Sequence, residues 1–227
     1  MAPRITLYTF PPSQNGVRPE IALREKGLAF EKVDLNLFEG DHRKPPLSEL
    51  TPRGQIPTVV YDDGDEAIVL YESIAIIRFI DDMHPQPALM PAIDDPRRRS
   101  RALIRIEEFQ AKLDVKNVFG SVVFGKQGRE QLGARVDAVL EELPRWNAYV
   151  DGTTFLAGDQ FTLADIAVFP LLMHFEVLGY DYAGTTPALA GYMDRCKARP
   201  SMEASGWVET FRKFAAALEP QQVLARA

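Results

Sequence analysis

The chain has 227 residues, of which 46% are hydrophobic, and its formal net charge is −6. This composition excludes a largely disordered chain, is sufficient for one large or two modest domains, and disfavours nucleic acid or an anionic membrane as the main partner. The single cysteine, Cys196, excludes an internal disulfide and a CxxC redox pair.

Neither a signal-peptide core nor an apolar run long enough to span a bilayer is present, so we expect a soluble cytoplasmic protein.

Alternating apolar residues predict strands over residues 4–9 and 30–35. Between them, the apolar spacing of residues 17–26 predicts a helix that ends at Gly27. A strand, a helix and a strand in this order form a βαβ unit with parallel strands.

Two β-branched runs, residues 57–61 and 67–70, flank a turn-rich Asp-Asp-Gly-Asp segment, which is typical of a β-hairpin. Because Pro57 has no N–H to donate to the ladder, we expect it at a strand start or an edge, with a cis peptide bond. A helix is predicted over residues 72–83, and residues 39–54 are irregular with one short helix. The first domain is therefore predicted to be α/β, with a four-stranded mixed sheet.

Proline and polar residues concentrate in residues 85–96, which we interpret as a linker between a first domain of residues 1–84 and a second of residues 97–227. The second domain shows no strand pattern and is predicted to be all-helical. Its helices are predicted over residues 97–124, 129–150, 162–178, 187–198 and 201–218. We expect Pro144 to bend or interrupt its helix and the tail after Pro220 to be frayed.

One helix start in the second domain carries a clear capping signal. Thr162 occupies the N-cap position and Asp165 follows three residues later, the pattern of a capping box. We assign this pair to folding rather than to chemistry. His174, in an apolar helix, is predicted to be a core residue.

The sequence contains no GxSxG, GxGxxG or P-loop motif, and its histidines lack metal-ligand spacing, which disfavours a serine hydrolase, a nucleotide site and a metal site. The loop of residues 10–16, between the first strand and the first helix, remains. There, the Ser13 hydroxyl, the Asn15 amide and free backbone N–H groups can converge on an anion. Taken alone, Ser13 is better explained as a simple N-cap, and this alternative stays open.

A second helix start follows the hairpin, where Glu72 and Ser73 precede an apolar helix. Free N–H groups and the helix macrodipole favour a bound carboxylate at such a position. The hairpin and this helix start together suggest a small anionic, peptide-like ligand.

The chain resembles the glutathione S-transferase superfamily. The likeness to the plant phi-type enzymes lies in the segment LYTFPPSQNGVRPEIALREKGLAFE, and its NG pair is similar to the bacterial nu type. It continues through GDHRKPP, TPRGQIP and YES, and FTLADIAVFP is similar to the capping box of the family's helical domain. The resemblance implies a thioredoxin-like N-terminal domain (βαβ-ββα), an all-α C-terminal domain and a homodimer. The loop lacks the cysteine of omega-like and beta-like members and the SSC run of zeta-like isomerases, and it leaves the subclass open.

The resemblance also implies roles for individual residues. Ser13 would hydrogen-bond the sulfur of glutathione, with Asn15 in support. The residues implied in binding the rest of the tripeptide are Ile56 and Pro57 at the cysteinyl part, Glu72 and Ser73 at the γ-glutamyl end, and His42, Arg43 and Gln55 at the glycyl carboxylate. Glutathione would be the co-substrate, without a metal.

A second, hydrophobic substrate is expected between the two domains, against apolar side chains. The candidates are Phe10, Phe119 and Phe124, with Trp207 and Phe211 as further options. The leading hypothesis is a glutathione transferase acting on hydrophobic electrophiles, in a detoxification role. The alternatives are a glutathione-dependent disulfide-bond or peroxide reductase of the same fold, and a non-catalytic transferase-like binding protein.

Overall fold

The computed structural model describes residues 2–225. The chain divides into two compact units. The first contains the described residues up to Leu89 together with Ala204–Phe211, and the second contains Met90–Glu203 together with the residues from Arg212 onward. Within residues 2–225, no helix combines the length and the apolar character that a bilayer span requires.

The first unit is built on a four-stranded mixed sheet of β1 (Arg4–Thr9), β2 (Glu31–Asp34), β3 (Thr58–Asp62) and β4 (Ala67–Tyr71), in the strand order β2-β1-β3-β4. Strand β1 runs parallel to β2 and antiparallel to β3. Strand β4 pairs antiparallel with β3 and completes the hairpin. The predicted βαβ unit, hairpin and mixed sheet are confirmed, and their order is that of a thioredoxin-like domain.

Helices α1 (Gln14–Glu25) and α3 (Ser73–Met83) pack against each other. Between β2 and β3 lie a 3₁₀ turn, Asp41–Arg43, and the short helix α2 (Leu47–Leu50). Helix α1 begins three residues before the predicted start, because Ser13 caps it. The core of this unit includes the fully buried side chains Leu7, Ile21, Leu23, Val59, Ile76, Ile77 and Ile80.

A buried ion pair joins the two helices of this unit. Lys26, at the end of α1, donates from Nζ to Asp81 Oδ1 in α3 and to the carbonyl oxygen of Pro87 at 2.6 Å. Asp81 Oδ1 also accepts the backbone N–H of Leu89 at 2.9 Å. The segment after α3 is therefore held against both helices, a contact that the sequence did not reveal.

The second unit is helical in its described part. Its helices are α4 (Pro96–Glu108), α5 (Phe119–Val123), α6 (Arg129–Val150), α7 (Leu163–Val177), α8 (Tyr182–Thr185) and α9 (Pro187–Lys197), followed by α10 (Pro200–Ser205) and α11 (Trp207–Ala217), which continue into the segment assigned to the first unit. Helix α7 packs against α4 and α9. It is apolar on all sides, as expected for a central helix, and its residues 163–175 are all buried.

The predicted continuous helix over residues 97–124 is wrong. Helix α4 passes into a π-helical turn, Phe109–Leu113, and a 3₁₀ turn, Asp114–Lys116, before α5 begins. The side chain of Asn117 accepts the backbone N–H of Phe119 at 3.0 Å. A side chain that bonds to a nearby backbone N–H competes with the helical ladder, and the chain is interrupted at this point.

Two further helix predictions need correction. Helix α6 continues through Pro144, and its non-helical backbone lies at Gly133 instead, with φ 18° and ψ −100°. The predicted helix over residues 201–218 is divided into α10 and α11 at Gly206, where φ is +63°. Both breaks occur at glycine, which adopts backbone conformations that are costly for other residues.

The predicted fraying after Pro220 is also wrong for the described residues. Val223 and Leu224 are buried, and the backbone N–H of Leu224 donates to the carbonyl oxygen of Leu178 at 2.9 Å. Arg129 donates to the carbonyl oxygen of Val223 at 3.1 Å. These contacts hold the described end of the chain, up to residue 225, against the rest of the second unit.

The predicted capping box at the start of α7 is confirmed. Thr162 accepts the backbone N–H of Ala164 at 3.3 Å, and Asp165 accepts the backbone N–H of Thr162 at 2.7 Å.

His174, as predicted, is buried in α7. Its ring stacks on Phe119, with 4.3 Å between the ring centroids, and its Nδ1 lies 3.2 Å from the amide nitrogen of Asn117.

Candidate functional site

Ser13 lies where β1 ends and α1 begins. Its backbone N–H donates to the carbonyl oxygen of Phe10 at 2.8 Å, which closes the loop between the two elements. Its side-chain oxygen accepts the backbone N–H of Gly16 at 3.1 Å, so Ser13 is the N-cap of α1. Because that bond occupies the hydroxyl as an acceptor, its O–H remains as a donor. The two sequence interpretations, a cap and a donor to an anion, are therefore compatible.

Gly16 permits the close packing behind Ser13. A Cβ atom at this position would lie 2.0 Å from Thr9 Oγ1 and 3.3 Å from Ser13 Cβ. Because Gly16 has no side chain, the first turn of α1 can lie directly against the end of β1. The glycine of the NG pair thus determines where the Ser13 hydroxyl is held.

Arg18 connects this loop to the second predicted helix start. Its guanidinium donates from Nη1 to Asn15 Oδ1 and to Ser73 Oγ, the latter at 3.1 Å. The side chain is buried, with the whole residue 2% exposed. Sequence reasoning missed Arg18, although an arginine among the apolar positions of an amphipathic helix was an available signal.

Glu72 and Ser73 lie at the junction of β4 and α3. Glu72 is exposed and has a φ of +66°, in the left-handed region that is uncommon for residues other than glycine. Such conformations concentrate at functional sites, where the surrounding structure maintains them. Ser73 is buried and is the first residue of α3, close to the free N–H groups of that helix.

The loop before β3 is held by two threonines that sequence reasoning missed. Thr58 Oγ1 donates to the carbonyl oxygen of Gln55 at 2.7 Å, and the backbone N–H of Gln55 donates to Thr51 Oγ1 at 3.3 Å. The peptide bond between Ile56 and Pro57 is cis, as predicted. Within residues 2–225, no hydrogen bond uses the backbone of Ile56, so its N–H and C=O are available to a ligand.

A cavity of about 330 Å³ lies beside this loop. It brings together Gln55 and Glu72, which the resemblance assigns to opposite ends of the ligand. It is lined by Thr51, Pro52, Arg53, Gln55, Tyr71 and Glu72. Arg53 is exposed and contributes a positive charge to the rim. Glu72 contributes a negative charge to the same lining, so the cavity carries one charged group of each sign.

His42 and Arg43 lie in the 3₁₀ turn before α2, with His42 half-buried and Arg43 exposed. Gly54 brings this turn close to the loop before β3. It has a φ of +55°, and a Cβ at this position would lie 2.5 Å from the carbonyl oxygen of His42. Only glycine tolerates both the positive φ and the short distance. The backbone of His42 therefore packs directly against Gly54, the residue before Gln55.

The predicted second-substrate residues have different surroundings. In the first unit, Phe10 makes an edge contact with Phe38, with ring centroids 5.8 Å apart. In the second, Phe119 is buried against His174, whereas Phe124 is 56% exposed. The further options, Trp207 and Phe211, are buried and stack on each other. Their roles stay predictions.

In the described part of the chain, no three His, Cys, Asp or Glu side chains are grouped so that they could hold a metal ion. Cys196 is buried, and burial raises the pKa of its thiol well above the usual value. It is therefore unsuited to act as a thiolate nucleophile.

Comparison with known proteins gives consistent matches over both units. The family model of the glutathione S-transferase N-terminal domain matches residues 12–83, and that of the C-terminal domain matches residues 97–200. Glutathione S-transferase 3 of Zea mays is 33% identical over 216 residues, covering 89% of this chain and 93% of the relative. A stringent starvation protein A homolog of Pasteurella multocida is 32% identical over 193 residues, covering 82% of each chain.

Among solved structures, the Bombyx mori glutathione transferase BmGSTD1 matches with a TM-score of 0.80 and 26% identity, covering 95% of this chain and 97% of the other. The four-stranded mixed sheet of the first unit and the helical second unit agree with these matches. The chain belongs to the glutathione S-transferase family, with its thioredoxin-like N-terminal domain and helical C-terminal domain.

Proposed function

We propose that this protein is a glutathione transferase, which holds the thiol of glutathione as a thiolate for attack on hydrophobic electrophiles. The observation that carries the proposal is the hydrogen bond from Gly16 N–H to Ser13 Oγ. It leaves the Ser13 hydroxyl as a donor at the N-terminus of α1, where the helix macrodipole also favours an anion.

The free energy required to lower the pKa of the glutathione thiol is modest. A thiol with a pKa of about 8.5 is only about 3% ionised at neutral pH, and lowering its pKa by about two units makes most of it thiolate. This shift corresponds to about 2.7 kcal/mol. A hydrogen bond to a charged group contributes about 1.5–3 kcal/mol, so the Ser13 hydroxyl and the helix N-terminus together account for it. A protein base is not required, and the thiolate is itself the nucleophile.

The rest of the tripeptide is proposed to lie along the loop before β3 and the start of α3. The free backbone of Ile56, next to Pro57, would pair with the cysteinyl part. Glu72 and Ser73 would hold the γ-glutamyl end. The residues proposed for the glycyl carboxylate are His42, Arg43 and Gln55. The second substrate would meet the thiolate beside Phe10, and the assignments of Phe119 and Phe124 are part of the same proposal.

We further propose that residues 1–84 form the glutathione-binding domain, residues 85–96 the linker and residues 97–227 the substrate-binding domain, in a cytoplasmic homodimer with a role in detoxification. Sedimentation equilibrium tests the assembly. We expect twice the chain mass of 25.4 kDa, and a species at the chain mass would contradict the dimer.

Two alternatives are kept. Glutathione-dependent reduction of a disulfide or peroxide needs the same thiolate and fits the nu-like NG pair. A non-catalytic protein is supported by the relative of Pasteurella multocida, which is named as a stringent starvation protein A homolog rather than as an enzyme.

Calorimetry and turnover separate these functions. The transferase and the reductase both predict that glutathione binds at or below millimolar concentration, whereas the absence of binding favours the non-catalytic protein. Turnover is then compared on an aryl halide and on a small mixed disulfide. Faster conjugation of the aryl halide supports the transferase, and activity on the disulfide alone would replace it with the reductase.

A further inference from the structure

Arg18 is the most deeply buried cationic group beside the proposed glutathione site. It lies in the first half of α1, and only 2% of its surface is exposed. Burying a guanidinium is costly unless hydrogen bonds compensate it. Two of its bonds connect separate parts of the site, since Nη1 donates to Asn15 Oδ1 in the loop of residues 10–16 and to Ser73 Oγ at the start of α3.

The direction of these bonds constrains both partners. A guanidinium only donates hydrogen bonds, so Ser73 Oγ and Asn15 Oδ1 both act as acceptors. The hydroxyl hydrogen of Ser73 and the amide N–H₂ of Asn15 therefore remain to donate to other groups. A serine or asparagine without such a partner would bind donors and acceptors alike. With Arg18 in place, both side chains present donors, and the nearby positive charge strengthens their preference for an anion.

We propose that Arg18 is a positioning residue, which orients Ser73 as a hydrogen-bond donor and thereby makes the site select the α-carboxylate of the γ-glutamyl residue. This inference rests on the proposed function, because it assumes that glutathione lies with its γ-glutamyl end at Ser73. It adds a residue and a specificity that the contact residues alone do not supply.

A purely structural role would be to tie α1 to α3. The ion pair of Lys26 with Asp81 already joins these two helices at the end of α1. The structural and the positioning roles differ in their consequences. Loss of a structural tie weakens the binding of every ligand equally, whereas loss of the donor at Ser73 weakens only ligands that carry the carboxylate.

Calorimetric titration with two ligands distinguishes these roles. One ligand is glutathione, and the other is 4-aminobutyryl-cysteinyl-glycine, which is glutathione without the α-carboxylate. A charge-assisted hydrogen bond is worth about 1.5–3 kcal/mol, so we expect the wild-type protein to bind glutathione about 10-fold to 100-fold more tightly than the analogue.

The variant Arg18→Met removes the charge and the donors but keeps an unbranched side chain at the buried position. We expect its ratio of affinities to fall to about 3 or less, mainly through weaker binding of glutathione. Arg18→Lys keeps the charge with a single nitrogen and is expected to retain an intermediate ratio of affinities. If Arg18→Met does not fold, the ratio measured for Arg18→Lys tests the inference. The matched control is Arg24→Met, in the same helix. The Arg24 guanidinium bonds to Glu20 rather than to Ser73, so the wild-type ratio is expected.

Each result decides the inference. A collapsed ratio in Arg18→Met with the wild-type ratio in Arg24→Met supports it. An unchanged ratio in both Arg18 variants, or a wild-type protein that does not prefer glutathione over the analogue, overturns it and leaves the proposed function intact. If the wild-type protein binds neither ligand, the inference and the proposed function both fail.

Discussion

The backbone N–H of Gly16 lies 3.1 Å from the hydroxyl oxygen of Ser13 and donates a hydrogen bond to it. This bond makes one side chain both the cap of a helix and a donor oriented by that helix. Folding and chemistry at this position are therefore separable, because a cap needs only an acceptor whereas stabilising a thiolate needs a donor.

Substitutions at Ser13 separate the two roles in stability measurements. Ser13→Ala removes the cap and is expected to lower the free energy of unfolding by about 1 kcal/mol. Ser13→Asp keeps an acceptor at the helix N-terminus and is expected to remain within a few tenths of a kcal/mol of wild type. Urea denaturation measures both values. Equal destabilisation by alanine and aspartate would contradict the capping role.

The contact between Gly16 and Thr9 gives a second prediction. Gly16→Ala places a Cβ 2.0 Å from Thr9 Oγ1, and we expect it to lower the free energy of unfolding by about 1–3 kcal/mol. The double variant with Thr9→Ala should recover part of this loss. The control is Gly120→Ala in α5, where the added Cβ meets open space and a neutral or slightly stabilising effect is expected. Equal effects at the two glycines would refute the steric argument.

The buried pair of Lys26 and Asp81 gives a third prediction. Lys26→Met leaves the Asp81 carboxylate buried without its cation, and we expect a loss of about 3 kcal/mol or more. In Lys26→Met/Asp81→Asn, the asparagine is neutral and still accepts the N–H of Leu89, so the loss should be smaller than in the single variant. Lys44→Met, in the exposed pair with Asp41, is the control and should behave like wild type. A double variant less stable than the single one would contradict this account.

Asp165 gives a prediction about pH. Desolvation raises its pKa to about 6 in the folded protein, although the backbone N–H groups of Leu156 and Thr162 favour the ionised form. The folded state therefore binds the proton more tightly than the unfolded state, where the pKa is close to 3.8. The contribution of Asp165 to stability is present below about pH 4 and falls as the pH rises to about 6, by an amount on the order of 3 kcal/mol.

The variant Asp165→Asn isolates this effect from other carboxyl groups, because it lacks only this titration. We expect the difference in unfolding free energy, wild type minus variant, to decrease between about pH 4 and pH 6 and to be constant above. Denaturation at several pH values measures it. A difference that grows with pH over this interval would show that the pKa is lowered rather than raised.

Features with local signals were predictable from the sequence. The hairpin depends on two β-branched runs around a turn, and the capping box of Thr162 and Asp165 lies within four residues. Ser13 was recognised as a cap or a donor for the same reason, since both roles depend on its place between a strand and a helix. The alternation of apolar residues also gave the sheet of the first unit.

Features that depend on distant contacts were not predictable in this way. Arg18 meets Ser73, and Lys26 meets Asp81, across 55 residues in each case, and no local pattern pairs them. The tail packs because its backbone bonds to Leu178, so its own composition did not reveal its burial. The interruption after α4 depends on the competing bond of Asn117, which periodicity alone does not register.

The most direct test of the proposed chemistry is the pKa of the glutathione thiol when bound to the wild-type protein, followed by the ultraviolet absorbance of the thiolate in a pH titration. Ser13→Ala and Ser13→Asp, which differ in capping but both lack the donor, are titrated alongside. We predict a pKa about two units below 8.5 for wild type and a return toward 8.5 in both variants. A bound thiol with a pKa of about 8.5 in the wild-type protein, or a lowered pKa that survives in both variants, would contradict the assignment of Ser13.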